Sequence, residues 1–157
     1  MYKRQAGNPM KDNKIWSFTT GGSIGGSDPW IQSVNPNAGP AGTCTTIIGY
    51  NLGCCPNGQC KGRSPKDYYW DYTERKCKLA SPNQKGKIEY LNTSNNWEIL
   101  PTDYLLDWQE IERPSNCADE NNQQNCPNYS PKNQIIIQIP NNTNLMPNNI
   151  KITPAYP

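Results

Sequence analysis

The side chains able to do chemistry fall into three groups: seven cysteines, a run of aromatic residues, and carboxylates in pairs. Cys54, Cys55, Cys60 and Cys77 lie close enough in sequence to suggest a metal site. Four thiolates would suffice for zinc, but the C-C-x4-C-x16-C spacing lacks the C-x2-C knuckles that preorganise a tetrahedron. Disulfides are the better reading, and they imply an oxidising, exported location. Cys117 and Cys126 are expected to bond to each other. Cys77 is expected to bond back to Cys54, Cys55 or Cys60, with the choice open. Cys44 is expected to point outward from a framework strand and staple an inserted loop to it. Because seven is odd, one cysteine is free, bonds another chain, or has lost its partner.

Tyr68, Tyr69, Trp70 and Tyr72 form the strongest candidate for binding. Aromatic faces on an exposed loop stack on sugar rings or anchor a protein partner. The competing reading makes them the mini-core of their own loop, packed around its disulfides. Lys61 to Lys78 carries six basic and three acidic residues, and basic plus aromatic is also a nucleic-acid pattern. Cysteine-bearing loops argue against that environment.

The carboxylate pairs are Asp67/Asp71, Asp103/Asp107 and Glu110/Glu112. A glycosidase needs two carboxyl groups facing each other across a cleft, which spacing alone does not supply. The chain has no histidine, so the commonest general base and the histidine-activated nucleophiles are absent. The chain is therefore read as non-catalytic. No EF-hand loop occurs, and neither a metal nor a cofactor is expected. The glycines of Gly21 to Asp28 lack the strand–helix context and the Lys-Ser/Thr of a phosphate loop. The N-x-S/T triplets at Asn92, Asn128 and Asn141 are no more than this asparagine content produces by chance.

These residues must be held by strands. Hydrophobic residues make up 34% of the chain, while Asn supplies 21 positions and Pro 15, which suits short strands joined by long polar loops. Ile31 to Val34 reads as one strand, ended by Pro36, and Thr43 to Ile48 as the next, with turn-formers between them. Gly49 marks a bulge or a close backbone approach. Lys87 to Tyr90 places Ile88 and Tyr90 on one face, and Tyr104 to Ile111 holds a further strand with Trp108. Asn133 to Pro140 is the clearest strand, with Ile135, Ile137 and Ile139 at period two. Asn149 to Thr153 closes the set, with Ile150 and Ile152 inward. Between the strands lie two insertions, Gly53 to Lys85 and about Glu112 to Lys132. Loops of that length are uncommon without structure of their own. Ser64 to Asp67 is suited to cap a short helix, and the aromatic run is expected to form a hairpin turning at Thr73 to Lys76. The net charge of +2 gives no reason to expect nucleic acid or an anionic membrane as partner. No apolar run is long enough for a membrane-spanning helix.

Trp30 to Leu52 resembles the opening of an IPT/TIG domain, whose signature runs roughly I-x-S-V-x-P-x-x-G-P-x-G-T-x-V-T-I-x-G-x-N-L. Ile31, Ser33, Val34, Pro36, Gly39, Pro40, Gly42, Thr43, Thr46, Ile47, Gly49, Asn51 and Leu52 all match. Thr45 stands where the pattern has Val. The resemblance continues to Pro157 in blocks and implies an all-β, immunoglobulin-like β-sandwich with two disulfide-bearing loop insertions. Ala6 to Gly22 resembles the last hairpin of a bacterial SbsA-type Ig-like domain. Residues 23–29 then form a Gly/Ser linker. Met1 to Gln5 resembles a translated sequencing adapter, so the chain is expected to continue upstream and any signal peptide to be lost. A lone strand at Ile15 to Thr20 is expected to have no sheet to join here.

Together these resemblances imply a C-terminal module of an exported, multidomain bacterial surface protein. It would follow tandem Ig-like domains and act as a spacer or as an adhesive, ligand-presenting domain for a protein or a glycan. The alternative is a carbohydrate-binding accessory domain of a secreted glycan-active enzyme, since IPT/TIG domains also accompany amylase-type catalytic domains. Rel-type transcription factors use a similar domain, but in compartments where cysteines stay reduced.

Overall fold

The computed structural model describes residues 17–18, 29–55, 64–112, 129–144, 146 and 149–157. The adapter-like start, most of the segment before Pro29, and Cys60, Cys117 and Cys126 lie outside the described residues. So does the expected Cys117–Cys126 bond. The described residues form an all-β structure of mainly antiparallel sheets, with single 3₁₀ turns as their only helical elements. None of their helices is long and apolar enough to cross a membrane.

The strands in chain order are β1 (Ser17–Phe18), β2 (Trp30–Asn35), β3 (Cys44–Tyr50), β4 (Tyr68–Asp71), β5 (Lys76–Leu79) and β6 (Lys87–Leu91). They continue with β7 (Trp97–Ile99), β8 (Leu105–Ile111), β9 (Lys132–Gln138) and β10 (Ile150–Thr153). One four-stranded sheet has the order β1-β10-β6-β7 and the other β2-β3-β9-β8, while β4 and β5 pair as a separate hairpin. Successive strand residues point to opposite faces, so one face of each sheet is apolar. Ile47 on β3, Ile135 and Ile137 on β9, and Trp108 on β8 pack with Ile88 and Tyr90 on β6 and Ile150 and Ile152 on β10. One core is therefore shared by both sheets.

Turn chemistry ends the strands where expected. β2 stops at Asn35, immediately before Pro36, which has no N–H to offer a ladder. Gly49 meets the expectation of a close approach: a Cβ there would lie 2.5 Å from the Trp30 carbonyl oxygen. The bulge itself falls across the ladder, on β2 between Ile31 and Ser33. One expectation is corrected. The segment thought to lack a sheet pairs in parallel with β10, Ser17 opposite Lys151 and Phe18 opposite Ile152.

Candidate functional site

The first insertion leaves the framework at Leu52 and Gly53, and two buried side chains fix that exit. The Asn133 amide, fully buried, accepts from Leu52 N–H at 2.9 Å and donates to the Gly53 carbonyl at 3.0 Å. Trp108 Nε1 donates to the Leu52 carbonyl at 2.9 Å. A backbone amide pair buried without partners would cost several kcal/mol, so Asn133 stands in for a ladder that β3 no longer has. Gly53 adopts φ +115°, and a Cβ there would collide with the Pro65 carbonyl. Only glycine accepts both conditions.

From that exit the chain reaches Cys54, which is bonded to Cys77 on β5 with Cα atoms 6.0 Å apart. Cys77 sits opposite Trp70 in the β4–β5 ladder, so the disulfide and the indole stack into one small core. Cys55 is also disulfide-bonded. Cys54, Cys55 and Cys77 are therefore committed to disulfides, not free to hold zinc, and the described residues contain no group of metal-ligating side chains. Ser64 and Asp67 form a capping box around the 3₁₀ turn Pro65–Asp67, and the hairpin follows it, turning between Asp71 and Lys76. The aromatic run is thus the expected hairpin, and the helical alternative is confined to this single 3₁₀ turn ahead of it.

One of the four expected binding aromatics, Trp70, is buried, and two more, Tyr68 and Tyr72, pack half-buried against it. Trp70 is 9% exposed, with Tyr129 edge-on at 5.2 Å and Tyr72 at 6.4 Å between ring centroids. Tyr68 and Tyr72 pack half-buried against the same core. Tyr69 lies on the other face of β4 and is half-buried. Tyr129 belongs to the second insertion, so the two insertions meet here. Its hydroxyl donates to Glu110, whose other oxygen accepts from Cys55 N–H at 3.0 Å. The Tyr72 hydroxyl bonds to Asn51 and, at 3.0 Å, to Ser130. Burial pushes the Tyr72 phenol above its ordinary value, and these hydrogen bonds offset only part of the rise.

Beside this core is a cleft of about 60 Å³, lined by Tyr69, Trp70 and Tyr72 on one side and by Pro154 to Pro157 on the other. Pockets that enclose a drug-sized ligand run to several hundred Å³, so this cleft admits one side chain or one edge of a ring. Tyr156 N–H and the Gln84 carbonyl hold the tail against the insertion at 3.1 Å. At the hairpin turn, Lys78 lies 2.8 Å from Asp71 and also pairs with Glu74. Burial alone would raise the Asp71 carboxyl, but hydrogen bonds from Lys78 and from the Glu74 and Thr73 N–H groups outweigh it and hold the carboxyl below its ordinary value.

Most of the paired carboxylates are tied into the structure. Asp67 is flanked by Lys66 and Lys85, Glu110 by Tyr129 and Cys55, Glu112 by Lys132, and Asp107 by Gln134. The site offers stacking and hydrogen bonding. Cys44 is corrected as a staple: it is exposed and free. It opens β3 whereas Cys54 follows the strand's far end, about 20 Å away at the rise of an extended chain. A disulfide needs Cα atoms within about 7 Å.

Sequence reasoning missed Asn133, Tyr129 and the tail at Tyr156. Asn133 had a signal: it shares the parity of Ile135, Ile137 and Ile139, which marks an amide on the inward face. Against protein-family models, curated proteins and solved structures, the chain has no match.

Proposed function

We propose that the two-sheet body is an immunoglobulin-like β-sandwich of the IPT/TIG kind and that it serves as a non-catalytic module of an exported bacterial surface protein. In that role it is a spacer that presents the cross-linked hairpin to a protein or glycan ligand. Strand order supports the fold reading. With the hairpin and the parallel edge strand β1 set aside, β2-β3-β9-β8 corresponds to A-B-E-D of an immunoglobulin domain, and β10-β6-β7 to F-C-C′. The Cys54–Cys77 bond supports an oxidising compartment.

The observation that carries the functional reading is the anchoring of the hairpin. A disulfide, the Asn133 amide and the Tyr129–Glu110 contact fix it to the sheets. A preordered loop loses little entropy on binding, which is what a presenting scaffold provides. Tyr69 is the ring to test, because replacing Trp70 would empty the small core. The chain and a Tyr69→Ala variant are applied to arrays of glycans and of extracellular proteins. The reading expects at least one bound feature that the variant loses. No bound feature, or binding indifferent to Tyr69, counts against it.

A further inference from the structure

The outer face of the second sheet carries a surface that the hairpin does not use. Register places Trp30, Tyr50 and Lys132 side by side on β2, β3 and β9. Trp30 is 49% exposed although Tyr50 stacks against it, with ring centroids 5.4 Å apart and planes 14° from parallel. With one face covered by Tyr50 and half its surface open, the indole offers its other face to solvent. Lys132 lies over the Tyr50 ring at 5.8 Å and is paired with Glu112 at 3.2 Å.

The next row along the strands is polar and uncharged: Ser33, Gln134 and Gln109, with Ile48 between them as a half-buried apolar floor. Beyond it Asp107 faces Gln134 at 3.4 Å. The charges on and beside this face are thus all engaged, Lys132 with Glu112 and Asp107 with Gln134. Four strands span about 14 Å at the usual interstrand spacing.

We propose that this face binds a neutral polysaccharide, with Trp30 stacking on the apolar C–H face of a pyranose. Ser33, Gln109 and Gln134 then meet the sugar's hydroxyl edge. Amides and a hydroxyl around a bare aromatic face match a hydroxylated, uncharged ligand. The same face has no excess of positive charge to hold an anionic polymer or an acidic lipid headgroup. This site is separate from the cleft beside Tyr69 and does not depend on it.

Native gel electrophoresis through embedded hydroxyethyl cellulose, xyloglucan, galactomannan or laminarin tests the proposal. The 157-residue chain is expected to be retarded by at least one of them, and equally at low and high salt. Trp30→Ala should weaken retardation about tenfold or more, the scale of a lost aromatic anchor. Trp97→Ala, an exposed indole on the other sheet, should retain it. Four outcomes overturn the proposal: no retardation by any of the polymers; retardation unchanged in Trp30→Ala; retardation lost in Tyr69→Ala while Trp30→Ala keeps it; or, on sizing, a dimer of the chain that Trp30→Ala dissolves.

Discussion

Two residues show how single side chains hold the insertion to the sheets. Asn133 closes two backbone hydrogen bonds at once where β3 ends, deep enough that water cannot replace it. Replacing it by Leu keeps the volume and strands both backbone groups, and an unpaired buried donor or acceptor costs about 1–3 kcal/mol. The expected loss of about 2–3 kcal/mol is read from the urea midpoint. Tyr72 ties the hairpin to Asn51 and Ser130, and burial raises its phenol above the ordinary 10.0. A group whose folded value is raised contributes fully below the unfolded value, and that contribution is lost as pH rises through the folded one. Stability should therefore fall above about pH 10 more steeply in the wild type than in Tyr72→Phe. Urea titrations on both sides of that pH check it. An equal slope in the two proteins would remove Tyr72 from this role.

At the level of elements, the hairpin is a separate piece of structure with its own small core. The Cys54–Cys77 bond closes a loop of 23 residues in sequence separation. A cross-link of that span stabilises by about 3 kcal/mol in the chain-entropy account. With both cysteines replaced by Ala, amide exchange in β4 and β5 should accelerate while β3 and β9 keep their protection. Uniform acceleration across all strands would show that the hairpin is not separable. This separateness explains what sequence could show. Period two in Ile135, Ile137 and Ile139, and the turn-formers before Thr43, report local geometry, and the strands formed where those patterns stood. The turn of the hairpin was legible for the same reason. The packing of Trp70 on its own loop's disulfide was legible too, as the mini-core reading, but its cover by Tyr129 was not, because that ring comes from the other insertion, a contact between distant residues. The outer face of the second sheet was hidden likewise. Trp30, Tyr50 and Lys132 become neighbours only once three strands take their register.

On the scale of the whole molecule, the decisive feature is that neither four-stranded sheet has a core of its own. Ile135, Ile137 and Ile139 from one side and Ile150 and Ile152 from the other are almost entirely without solvent contact and belong to one cluster. Separating the sheets would expose both apolar faces together, so neither is stable alone. Cooperative loss follows: a cavity placed under one sheet must lower the protection of the other. Ile137→Ala is the sharpest case, because Ile137 is central to β9, which pairs with both β3 and β8. Truncating a buried isoleucine costs about 2–5 kcal/mol, a large part of the 5–15 kcal/mol that a domain possesses. Amide exchange in β6 and β10, which share no hydrogen bond with β9, should rise by the same factor as in β3. Protection retained in β6 and β10 would mean that the sheets unfold independently. In that case the body would not act as the single rigid support on which presentation of the hairpin depends.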